Sequence, residues 1–178
     1  MPSRHLSTRL LSFAASATVV LIAVFYKFSL TSNSLLPGLD GAYYWVQVRS
    51  LLENSSLAFS DLPLVIYVQA GIAWLLNDIP GAVRISDAIL PALSAFPIYL
   101  IARRYPIRLL PAVGIAFVLL NPVQLFFFTG DFIKNEAAIP LVFLLSWILL
   151  SWDERGARSR YAMAGTVILA ISFSHFGT

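Results

Sequence analysis

Leu62-Pro63-Leu64-Val65-Ile66-Tyr67-Val68-Gln69-Ala70-Gly71-Ile72-Ala73-Trp74-Leu75-Leu76 is the segment on which the fold turns. Its fifteen residues are mostly apolar, yet as a helix they reach only ~22 Å against a hydrocarbon core of ~30 Å. Gln69 and Gly71 interrupt it, and Asp61 and Asp78 bound it. Five other apolar segments run at about 10–28, 85–102, 109–128, 137–152 and 161–175. Whether 62–76 crosses decides the sidedness of everything after it. If it does not, Arg4, Arg9, Arg103, Arg104, Arg108, Arg155, Arg158 and Arg160, eight of the twelve Lys and Arg, share the side of the N-terminus. If it does, most of them fall on the opposite side. Cytoplasmic loops carry the excess of Lys and Arg, so the first count is preferred.

The reading is therefore an all-α, polytopic transmembrane helical protein. It has five spans, a cytoplasmic N-terminus and a long first extracytoplasmic loop over 31–83. In that loop Tyr44, Val48, Leu51 and Leu52 recur at helical spacing opposite Gln47, Arg49, Glu53 and Asn54, the pattern of an amphipathic helix on the outer surface. Segment 62–76 is then re-entrant or tucked beneath that helix. Pro91 and Pro97 should kink the span at 85–102, and Pro111 and Pro122 the one at 109–128.

Composition agrees. Hydrophobic residues make up 58% and charged residues 12%, against about a quarter charged in soluble domains. The net charge of +3 is scattered between apolar runs rather than gathered on one face, so no nucleic-acid partner is expected. There is no cysteine, which excludes disulfides and thiolate chemistry, and His5 and His175 lie at opposite ends of the chain. The apolar run continuing past Ala15-Ser16-Ala17 favours a retained first helix over a cleaved signal peptide.

Two acidic segments fall on the extracytoplasmic side. Pro37-Gly38-Leu39-Asp40-Gly41-Ala42-Tyr43-Tyr44-Trp45 sets a carboxylate beside rings that favour the headgroup level, and Gly130-Asp131-Phe132-Ile133-Lys134-Asn135-Glu136 follows the third span. A carboxylate at the membrane edge can deprotonate an acceptor or hold a divalent metal, and Lys134 can neutralise a lipid-phosphate leaving group. His175, at the outer end of the last span, lies where a substrate could reach it, and a helix-capping role suits it equally. Asp87 is expected to pair locally with Arg84.

Leu39-Asp40-Gly41-Ala42-Tyr43-Tyr44, the amphipathic helix, the short apolar helix and the acidic loop after the third span resemble the N-terminal half of the membrane-embedded GT-C glycosyltransferases, in particular oligosaccharyltransferase catalytic subunits. The resemblance implies transfer of a sugar or oligosaccharide from a polyprenyl-phosphate-linked donor at the extracytoplasmic face of the cytoplasmic membrane. It implies Asp40, Asp131 and Glu136 as catalytic acids, and Lys134, Tyr43, Tyr44 and His175 as substrate contacts. A divalent metal, Mg²⁺ or Mn²⁺, would be held by Asp40 and Glu136. The family carries Asp-x-Asp or Asp-x-Glu in the second motif, whereas here Lys134 stands where the first acid belongs. Known members continue through further helices, so more chain, or partner chains, is expected to complete the assembly. The rival readings are a transporter or flippase, whose charges should lie near the bilayer midplane, and a non-catalytic membrane subunit.

Overall fold

The computed structural model describes residues 3–30, 41–61, 64–124, 126, 132–151 and 157–175. Eight helices are delimited among them, with no strand: α1 (Ser3–Leu30), α2 (Gly41–Asn54), α3 (Leu64–Leu76), α4 (Ile79–Ala92), α5 (Ala95–Ala102), α6 (Leu110–Leu119), α7 (Ile133–Leu150) and α8 (Ala157–His175). Three helical stretches are long and apolar enough to cross a membrane: Thr8–Leu30, Ile79–Ala102 and Ile133–Leu150. The protein thus has the build of an integral membrane protein. Phe25, Trp74, Leu75 and Phe117 point outward, each about three-quarters exposed, as side chains facing lipid do and those of a soluble surface rarely do.

Local chemistry sets the helix ends. Asp78 caps α4 by accepting a hydrogen bond from the Gly81 amide at 3.1 Å, with Pro in the first turn and Asn77 in the left-handed region at φ 52°. A side chain at Gly81 would push the Asp78 carboxylate aside and so weaken this cap. The expected disturbance in the second long span lies between α4, which ends at Ala92, and α5, which starts at Ala95, while Leu93 and Ser94 keep helical backbone angles. Pro97 has no N–H to donate to Leu93, and the Phe96 amide takes that carbonyl at 3.2 Å instead. Pro111 does not kink α6 but lies in its first turn, where a missing N–H costs nothing. Asn121 joins α6 to a further helical turn at 122–124: its Nδ2 donates to Phe117 and Val118 carbonyls at 2.9 Å, and its Oδ1 accepts from the Gln124 amide at 2.9 Å. The helix is interrupted just before Pro122 and is helical again over 122–124 and at 126; 125 and 127–131 lie outside the described residues. Segment 62–76 appears as α3, thirteen residues or ~20 Å, shorter than the hydrocarbon core.

Three apolar clusters hold the helices. Tyr44 and Val48 of α2 pack with Val65, Ile66, Ala70 and Ala73 of α3, Ala82 and Val83 of α4 and Ile133 of α7. Ala23 of α1 meets Ile98 of α5 and Ile115 and Leu119 of α6, where Gly114 lets α6 approach Ile98 closely. Ile148 of α7 packs on Ala164 and Val167 of α8. Alanines recur at these contacts because van der Waals closeness, not expulsion of water, joins helices in lipid. The helix with Tyr44, Val48 and Leu51 on its packed face is α2, while Leu52 is exposed. Gln47, expected on the polar face, is completely buried. The reason is local: Gln47 bonds both backbone groups of Phe59, its Oε1 accepting at 3.1 Å and its Nε2 donating at 3.0 Å.

The helix directions give the bundle two polar ends. One gathers the C-terminal end of α1, Asp87 of α4 and the start of α7 around Lys27; the other gathers the start of α1, the α5–α6 connection and the end of α7.

Candidate functional site

Two charge clusters occupy the Lys27 end, and α7 stands between them. Lys134 is its second residue and Glu136 its fourth; two residues apart on a helix, they project to nearly opposite sides. On one side the Lys134 ammonium bonds the Asp61 carboxylate, which also accepts a hydrogen bond from the Tyr43 hydroxyl. The same ammonium lies 5.5 Å from the centroid of the Tyr43 ring, in cation–π range. Gln47 Nε2 donates to the Tyr43 hydroxyl at 2.8 Å, and Phe59 stacks on the Tyr43 ring at 5.9 Å. The loop after α2 is thereby pinned to α2, and this holds Asp61 in place. The cluster is half-buried: the Lys134 side chain keeps 20% of its exposure.

On the other side, Lys27 of α1 bonds Glu136 and lies 3.7 Å from Asp87 of α4. All three side chains are at least 96% buried, with exposures of 2%, 1% and 4%. One ammonium thus faces two carboxylates inside the helix bundle, joining the three longest apolar stretches. Glu136 also lies in the first turn of α7, where the helix dipole favours an anion.

The expected site residues distribute as follows. Tyr43 and Lys134 come together, from segments far apart in sequence. Tyr44 is 2% exposed and turned into the apolar core, edge-on to Tyr43 at 5.4 Å. Glu136 belongs to the buried Lys27 cluster. His175 is the last residue of α8. Asp40 and Asp131 lie outside the described residues. Sequence reasoning missed Asp61, which it took only as a boundary, and Lys27 and Asp87. An available signal for the last two was their position inside apolar stretches, where an ionisable residue is costly and seldom unpartnered. Asp87, read as a local partner of Arg84, meets Lys27 of a different helix.

The described residues do not fit a divalent metal. Glu136 offers its carboxylate to an ammonium in a buried site, and no group of three or more His, Asp or Glu able to hold a metal occurs among the described residues. No family model, curated protein or solved structure matches the chain.

Proposed function

We propose that this protein is a membrane glycosyltransferase module of the GT-C type, handling a polyprenyl-phosphate-linked sugar at the Lys27 end, with that end extracytoplasmic. The observation that carries the reading is the contact of Tyr43 with Lys134. Tyr43 lies three residues after Asp40, and Lys134 three residues after Asp131. Chain geometry therefore tethers both acids within ~10 Å of residues that touch each other. In this reading Lys134 exchanges Asp61 for the donor phosphate, an anion it meets from a partly exposed position. Asp40 activates the acceptor, and five spans with α3 not crossing complete the module.

The first test is donor binding by the full chain in nanodiscs, using a polyprenyl-phosphate sugar as probe. Lys134→Met should weaken binding about tenfold or more, since a charge-assisted contact to phosphate disappears, while Lys134→Arg should retain most of it. Equal donor affinity for Lys134→Met and the parent would remove the donor-contact role.

Sidedness has its own test. Single cysteines at Asn77 and Ser159, probed on intact cells with an impermeant thiol reagent, should label at Asn77 and stay protected at Ser159. The reverse pattern would overturn the topology.

A second reading has one observation in its favour. The Lys27–Asp87–Glu136 cluster is buried within apolar helices, a feature that suits a transporter. Substrate-dependent proton or cation flux in proteoliposomes, without sugar transfer, would favour it.

A further inference from the structure

At the other end of the bundle a cavity of about 460 Å³ is lined by α1, the end of α5, the 103–109 connection and the start of α6. Arg9, Arg103, Arg104 and Arg108 all contribute to its wall, and no carboxylate does among the described residues. The four come from two parts of the chain about 95 residues apart, so their convergence is a product of the fold and not of one basic run. All four are exposed, yet they line one concavity, and an anion there relieves the repulsion among like charges. Arg104 is fixed as well: its Nη1 donates at 2.9 Å to the carbonyl of Leu150 at the C-terminal end of α7. Arg9, Arg103 and Arg108 make no ion pair with any described carboxylate.

The surroundings specify the kind of anion. Tyr105, Ile107 and Leu109 beside the cavity are each about half exposed or more, an apolar rim next to the charges. Arg9 and Lys27 are eighteen residues apart on α1, or ~27 Å, close to the thickness of a hydrocarbon core. When the Lys27 end lies at one interface, the cavity lies at the other, at headgroup depth. Guanidinium forks match phosphate oxygens, and basic pockets between membrane helices suit anionic headgroups. We infer that this cavity binds the phosphate of an anionic phospholipid in the leaflet at the N-terminal end of α1. A dissolved phosphate would use the same guanidinium groups but would gain nothing from the Tyr105–Ile107–Leu109 rim. The inference does not depend on what the Lys27 end does.

The test is lipid binding to the purified full chain in detergent micelles, read by native mass spectrometry. Phosphatidylglycerol is titrated against phosphatidylcholine, with inorganic diphosphate as a soluble competitor. The parent protein should retain phosphatidylglycerol at least tenfold better than phosphatidylcholine, and millimolar diphosphate should displace it poorly. The double substitution Arg103→Gln/Arg108→Gln should lower phosphatidylglycerol affinity roughly 10- to 30-fold, as expected for two cations near a headgroup. Arg49→Gln, an exposed arginine paired with Glu53 on α2, should leave it unchanged. Equal retention of the two lipids would overturn the inference. So would an equal loss in Arg49→Gln, which would mean net charge alone attracts the lipid. Diphosphate binding without lipid preference would also overturn it, by making the ligand a soluble anion. A thermal melt of the double variant matching the parent shows that a loss of binding is not a loss of fold.

Discussion

Lys27→Met should lower the stability of the folded protein by about 3–5 kcal/mol, the cost of breaking a buried ion pair by removing one partner. Lys27 is 1% exposed, and its ammonium is shared between Glu136 of α7 and Asp87 of α4. Methionine fills nearly the same volume, so packing changes little, but two carboxylates are left close together where no water can solvate them. Because the three residues belong to three helices, the penalty falls on the assembly of α1, α4 and α7 and not on any one helix. The triple variant Lys27→Met/Asp87→Asn/Glu136→Gln removes every charge and should recover most of the loss, since neutral replacements for buried ions are often well tolerated. Tryptophan-fluorescence unfolding in mixed micelles reads both. As a comparison, Arg49→Gln breaks a pair whose side chains are 56% and 64% exposed and should fall within experimental error. A single-variant melt equal to the parent's would show that Lys27 does not hold the bundle together.

That cluster also marks where sequence reading stops. The helices themselves were legible, because apolar length and spacing are local: Tyr44 and Val48 recur at one turn's distance, and both are buried in α2. The irregular turn between α4 and α5 was legible from Pro91 and Pro97, whose missing amides act on their own turn. Pairings across the bundle were not. Lys27 and Glu136 are 109 residues apart, and Lys134 and Asp61 are 73 apart, so neither contact leaves a trace in spacing. Gln47 was assigned to the wrong face because its side chain is polar. Its amide replaces the hydrogen bonds of water with those of the Phe59 backbone, a trade that hydropathy does not register. The interruption of the third apolar segment at Pro122 was legible for the same reason as the turn between α4 and α5, while the Asn121 side chain that bonds the carbonyls before it and the amide after it was not.

Asp40→Asn should reduce sugar transfer by at least ~10²-fold, the lower end of what a positioned acid–base group contributes, while leaving membrane insertion and helix α2 intact. The choice of asparagine matters. Asp40 directly precedes Gly41, the first residue of α2. Asparagine serves at the position before a helix as well as aspartate does, and it keeps the size and one oxygen acceptor. What it cannot do is accept a proton or bring a negative charge to the acceptor. Alanine is a poor residue at the position before a helix, so Asp40→Ala should cost about 1 kcal/mol of stability in addition to the activity. The pair therefore separates chemistry from scaffolding. Transfer of labelled sugar from a polyprenyl-phosphate donor is measured in native membranes carrying the chain with any partners it has, alongside circular dichroism and expression level. Loss of transfer in both variants, with a lowered melt only in Asp40→Ala, is the expected result. If Asp40→Asn transfers at the parental rate while Asp40→Ala is merely less stable, Asp40 is a helix cap. The chain would then serve as a membrane subunit whose acids hold the fold and not the reaction.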